Sequence, residues 1–230
     1  ARFDVVMSSA QQSAFERALV DDFDSIETSL SKVDVRTATC RNEKDTKAIL
    51  DELEQGVGFV ACNTLVIGLL REALVAQARA ALERLPAAER GTSALINQLG
   101  VLLKRMGKLE EARLLLEEAV QGCRETLGNR HLGTLVSIGY MADLLRTTGS
   151  LAEAELVLDN TVVVVQEVLG NDHATTLKIT AIAARLQHAQ PGGAVAGKEL
   201  LAATVARMVM VLGESHEQTG RYRKVLTEME

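Results

Sequence analysis

Leu127-Gly128-Asn129-Arg130-His131 returns as Leu169-Gly170-Asn171-Asp172-His173 and again as Leu212-Gly213-Glu214-Ser215-His216, at intervals of 42 and 43 residues. A fixed period of this size is the mark of a repeat architecture and outranks any local propensity. The same offset carries Thr92 onto Thr134 and Thr176, Gly107 onto Gly149, Leu109 onto Leu151, Ala112 onto Ala154 and Leu116 onto Leu158. Past the one-residue insertion near Pro191-Gly192-Gly193, Leu158 maps to Leu201 and Thr161 to Thr204. Residues 91–230 therefore read as three units, about 91–132, 133–174 and 175–217, and a partial fourth over 218–230.

Within a unit the apolar residues recur at helical spacing on either side of a tight turn. Leu95, Leu99, Leu102, Leu103 and Met106 lead to Gly107, and Leu109, Ala112, Leu116, Ala119 and Val120 follow it. That spacing predicts an antiparallel helix pair. The small residues Gly100 and Ala112, with counterparts Ala142 and Ala154 and then Ala184 and Gly197, fall where two helix backbones must approach closely. Leu-Gly after each second helix supplies a stop, because Gly accepts the left-handed backbone that ends helices.

Leu99-Gly100, Leu103, Ala112, Leu116 and Ala119 have the spacing of the tetratricopeptide repeat. The period, with its Leu-Gly-x-x-His-x-x-Thr linker, resembles the long-helix variant of kinesin light chains. The resemblance covers about 140 of the 230 residues and implies an all-α right-handed solenoid that binds other proteins along the concave face lined by the first helices. Projected onto this chain, the family's groove positions are Asn97, Gln98, Val101, Lys104 and Arg105 in the first unit. They are Tyr140, Asp143, Arg146 and Thr147 in the second, and Lys178, Ile182, Arg185 and His188 in the third. Lys104, Arg146 and His188 share one phase, which predicts a basic ladder suited to an acidic segment or a C-terminal carboxylate of a partner.

Residues 1–90 carry no such repeat and read as an N-terminal helical region suited to capping the exposed end of the solenoid. Phe15, Leu19, Phe23, Ile26, Leu30 and Val33 step by three and four, with Asp21, Asp22, Asp24 and Glu27 opposite. A second helix follows Asn42, with Asn42 as its cap, and stops at Gly56; a third runs from about Val60 to Leu85 and ends at Pro86. Gly56-Val57-Gly58 has no following Lys-Ser or Lys-Thr, so a turn is expected rather than a phosphate loop.

Composition narrows the function classes. Hydrophobic residues make up 47% of the chain and aromatic ones 3%, which favours helices around a real core over a β-sandwich. With 25 Lys and Arg against 31 Asp and Glu, and no basic run, a nucleic-acid partner is not expected. The apolar stretch from Phe59 to Leu70 is 12 residues long, below the roughly 20 a membrane span needs, so the chain reads as soluble with no membrane span. Cys40, Cys62 and Cys123 are too few and too far apart for a disulfide framework or a zinc site.

His131, His173 and His216 recur once per repeat, which argues a structural role rather than a metal or catalytic one, and no HExxH or nucleophile elbow is present. No catalytic residue, metal site or cofactor is expected. The functional expectation is a non-enzymatic interaction scaffold that takes a partner segment in its groove. The alternative is a structural or accessory subunit of a larger, organellar complex, held through cap, convex and end surfaces. The cytoplasm is the favoured compartment, with a plastid or mitochondrion after removal of a targeting segment as the alternative.

Overall fold

The computed structural model describes residues 43–229 without a break, together with Ala14, Arg17, Ala18, Ile26, Ser29 and residues 32–38. Among the described residues every regular element is a helix. The chain divides into two compact units, Ala1–Leu85 and Pro86–Glu230.

In the first unit a 3-10 turn, Val35–Thr37, precedes helices α1 (Glu43–Gln55) and α2 (Phe59–Glu83). Asp34 caps that turn by accepting from the Arg36 backbone N at 3.0 Å, and Asn63 of α2 accepts from the Val35 N at 2.8 Å. One side chain thus ties the turn to the long helix. Gly58 N donates to Leu53 O at 2.8 Å, closing α1 with an ordinary helix stop at Gly56-Val57-Gly58. Phe15, Leu19, Phe23, Leu30, the acidic residues opposite them, Cys40 and the expected cap Asn42 lie outside the described residues. The apolar run counted from Phe59 to Leu70 continues as one helix past Arg71 and Glu72, so α2 is long and apolar enough, by length and composition, to cross a membrane. That corrects the shorter estimate, in which the two charged residues closed the run.

The second unit begins with the short α3 (Ala87–Arg90) and continues as stacked helix pairs. These are α4 (Ala94–Arg105) with α5 (Leu109–Leu127), α6 (Leu132–Thr148) with α7 (Leu151–Leu158) and α8 (Thr161–Leu169), and α9 (Ala174–Ala189) with α10 (Ala194–Leu212). The helix α11 (Glu217–Glu228) opens a fourth unit. This part of the chain is an all-α solenoid of helix pairs.

The repeated linker explains each start and stop. Gly128, Gly170 and Gly213 sit at φ 84°, 79° and 92°, a conformation that costs other residues about 1 kcal/mol or more, and each ends its helix. Three residues on, His131, His173 and His216 stand at the N-caps of α6, α9 and α11. Their Nδ1 atoms accept from the backbone N of Gly133, Thr175 and Gln218 at 3.1, 3.2 and 3.2 Å. The periodic histidine therefore does the work that Ser, Thr, Asp or Asn does at most caps.

The core follows the apolar period. Leu99, Leu102, Leu103, Leu116, Leu144, Leu145, Leu201 and Met208 are fully buried, each burial worth roughly 1.5–3 kcal/mol before the entropy of ordering. Ala112 and Ala154 have no exposed surface, as close helix contacts require. At Gly197 a Cβ would lie 2.3 Å from the His188 backbone N, so α9 and α10 touch backbone to backbone there.

One helix departs from the repeat. The second helix of unit two is broken between α7 and α8 at Asp159-Asn160, where its counterparts Glu118 and Ala203 are helical. Asn160 takes φ 57°, which its short polar side chain tolerates better than most. The Val162–Val165 run consequently starts a fresh helix, with Val165 buried and Val163 half exposed.

Candidate functional site

Asp143 is the centre of the polar face shared by the first helices. It lies in the middle of α6 with only 5% of its surface exposed. An isolated carboxylate there would cost several kcal/mol, so its partners decide whether it can stay ionised. Three cations supply them. Lys104 from α4 donates to Oδ2, Arg146 one turn along α6 donates to Oδ1 at 3.2 Å, and Arg185 from α9 donates to the same oxygen at 2.9 Å. The Asp143 carbonyl also accepts from Thr147 Oγ1 at 2.7 Å.

The electrostatics follow from that geometry. Burial pushes the Asp143 carboxyl upward, but the charges of Lys104, Arg185 and Arg146 and the Lys104 hydrogen bond outweigh it and hold it well below the usual carboxylate range. Burial lowers the Lys104 ammonium, against the pull of Asp143 and with Arg221 and Arg185 adding repulsion. Three cations against one carboxylate leave an excess of two positive charges in a partly desolvated place. Arg221 on α11 adds to the field. The phenol of Tyr222, also on α11 and buried, is pushed up to about 12 by that burial, with Asp143 adding to the effect.

A second bridge joins units two and three, where Lys178 Nζ donates to Tyr140 Oη at 2.7 Å and lies 4.1 Å from the ring centroid. A third joins units one and two. Asn97 Nδ2 donates to Ser137 Oγ at 2.9 Å, and Ser137 Oγ donates on to Gly133 O at 3.0 Å, while Asn97 Oδ1 is buried with no hydrogen-bond partner.

Of the residues expected on this face, Lys104, Asp143, Arg146 and Arg185 come together, and Tyr140 pairs with Lys178. Gln98 and Arg105 are half-buried on α4, whereas Val101 and Ile182 are buried with the core. Asn97 is sunk between α4 and α6 rather than presented outward. His188 lies in the last turn of α9, as Lys104 and Arg146 lie in the last turns of α4 and α6, and its Nδ1 is 2.8 Å from the carbonyl of Ala194 at the start of α10. Sequence reasoning did not anticipate Ser137 or Tyr222; Ser137 has Leu95 at its repeat position, so the period gave no signal for it. Among the described residues no group of three His, Cys, Asp or Glu is placed to hold a metal ion.

No curated protein matches the chain. Residues 91–160, covering α4 to the α7–α8 break, match the family model described as Tetratricopeptide repeat. The helix pairs of residues 91–160 are thus matched as tetratricopeptide repeats, and the same helix-pair period runs on from them to α11.

Proposed function

We propose that this protein is a non-enzymatic scaffold that binds an acidic segment of a partner protein along the groove of its first helices. Tetratricopeptide repeats serve protein–protein interaction in general; the finer reading rests on one observation, the excess of positive charge around Asp143 in a chain whose net charge is -6. A local field of opposite sign to the whole molecule steers an acidic segment to that face and away from the rest of the surface. The chemistry needed is electrostatic and hydrogen-bonding, supplied by the Arg146 and Arg185 guanidinium forks.

The test is fluorescence anisotropy of a fluorescein-labelled oligo-glutamate peptide at low and high salt. Saturable binding that weakens steeply with salt is the expected result. Absence of binding at low salt, or equal binding of an oligo-lysine peptide, would overturn the reading.

A second reading, a subunit held in a larger assembly through its outer surface, is favoured by the apolar residues on the second helices. Leu114 and Leu156 occupy one phase at 67% and 76% exposure, and Met210 on α10 reaches 85%. A cleft of about 310 Å³ lies beside the α7–α8 break, with Leu158, Val162, Val163 and Leu186 in its lining. Purification of the protein from its source as a stable complex, with Leu114→Ser and Leu156→Ser releasing it, would favour this reading over the groove.

A further inference from the structure

We infer that the group seated at the Asp143 cluster is a phosphoryl group carried on the bound segment, so that the protein selects a phosphorylated peptide over a merely acidic one. The inference rests on the acidic-segment reading above and adds the identity of the charge at its focus.

The argument is a count of charges and donors. Lys104, Arg146 and Arg185 come from three consecutive units and converge on one carboxylate, which neutralises one of their three charges. Their side chains keep 12%, 19% and 16% of their surface exposed, against 8% for Asp143. The carboxylate is therefore the more deeply buried group, and the cations retain the greater access to solvent. Lysine offers three N–H donors and each arginine five, and the bonds to Asp143 and Thr147 use only part of that set. A carboxylate ligand would bring one negative charge and two oxygens, leaving a positive charge uncompensated in a partly desolvated place. A phosphoserine or phosphothreonine brings close to two charges and three acceptor oxygens, which balances the excess and matches donors arriving from three helices.

The surrounding groups fit the same sign. Arg221 from α11 lies near enough to repel Lys104 and Arg185. Lys178 of α9, over Tyr140 of α6, is a further cation on the third unit. Tyr222 of α11 is a neutral phenol at ordinary pH and adds no negative charge to the cluster. Asp143 is bonded to all three cations, and it orients the two guanidinium groups by holding them on a single oxygen.

The experiment uses three fluorescein-labelled peptides of one acidic frame with phosphoserine, glutamate or serine at the centre, titrated against the full chain. At pH 7.5 the phosphoserine peptide is expected to bind about tenfold or more tighter than the glutamate peptide, and the serine peptide weakest. At pH 5, below the second phosphate ionisation near about 6, the advantage over glutamate should shrink. Arg221→Gln, which breaks no contact to Asp143, should reduce the preference, and Arg146→Lys should reduce it further by removing the planar fork. Inorganic phosphate should compete only at millimolar concentration; competition at micromolar concentration would assign the site to free phosphate and overturn the peptide assignment. Equal affinity for phosphoserine and glutamate would overturn the phosphoryl inference and leave the acidic-segment reading standing. No binding of any of the three at low salt would overturn both.

Discussion

Arg185 donates to Asp143 Oδ1 at 2.9 Å although the two residues stand 42 positions apart, one full repeat along the chain. They occupy the same phase of successive units with opposite charge, so stacking the units brings the pair together without any further adjustment of the backbone. Lys104 and Arg146 are likewise one period apart, and they close on the same carboxylate from its other sides. The repeat that builds the core thus also builds the polar focus of the first-helix face.

Asp143→Asn tests how far that focus holds the units together. Removing the charge leaves three cations facing a neutral amide, and loss of one member of a buried ionic group costs about 3–5 kcal/mol. Because the folded carboxyl is depressed, its stabilising contribution is complete above the unfolded value near about 4 and is lost as pH falls through the lower folded value. Urea denaturation at pH 7 should therefore show a large gap between wild type and variant that narrows only in strong acid. A gap that is already gone at pH 5 would mean that Asp143 is not held by the three cations.

The solenoid was legible because its signals are local and repeated: Leu-Gly marks each stop, His each start, and Ala112, Ala154 and Gly197 each close contact. Lys104, Asp143, Arg146 and Arg185 were all legible as residues of one face through the family's groove positions. That they meet was not, since Lys104 and Asp143 are 39 residues apart and their approach depends on how one unit rotates on the next. The contact of the His188 ring with the Ala194 carbonyl was not legible either, because it depends on how the turn after α9 leads into α10. The α7–α8 break was hidden by the valine run beside it, which reads equally well as continuous helix.

Gly197→Ala should be among the most damaging single-methyl changes in the chain. The new Cβ would meet the His188 N at 2.3 Å and the Ala184 carbonyl oxygen at 2.6 Å, both backbone atoms that cannot rotate away. Overpacking of this kind costs about 1–3 kcal/mol, and the backbone contact puts it at the upper end. Gly220→Ala, in α11 with nothing within 4 Å of its Cβ, should instead stabilise by about 0.5–1 kcal/mol through helix propensity. Thermal melts of the two variants must move in opposite directions for the packing account to stand.

The three linker histidines should behave as caps and not as ligands. Replacing His131, His173 or His216 by Ala removes the acceptor for one backbone N–H and should cost about 1 kcal/mol each, nearly additively because the sites lie one repeat apart. Asn, a good cap in its own right, should restore most of the loss at each position. Hydrogen exchange of the Gly133, Thr175 and Gln218 amides reads this directly: unchanged protection in the Ala variants would remove the capping role.

Tyr222→Phe addresses the open end of the array through its alkaline stability. The Tyr222 phenol is pushed up to about 12, first by burial and then by the Asp143 charge, with Arg221 and Arg185 pulling the other way. A folded value above the unfolded one near about 10 means that its contribution is complete below pH 10 and is lost as pH rises toward 12, because the unfolded chain ionises first. Wild type should therefore lose about 2 kcal/mol more than Tyr222→Phe between pH 9 and pH 12, while the two run parallel at lower pH. In a Tyr140→Phe background, where Tyr222 is the remaining phenol, the ultraviolet phenolate signal of the folded chain should not rise until pH approaches 12. A midpoint near pH 10 in the folded protein would show Tyr222 open to solvent and α11 not packed on the third unit.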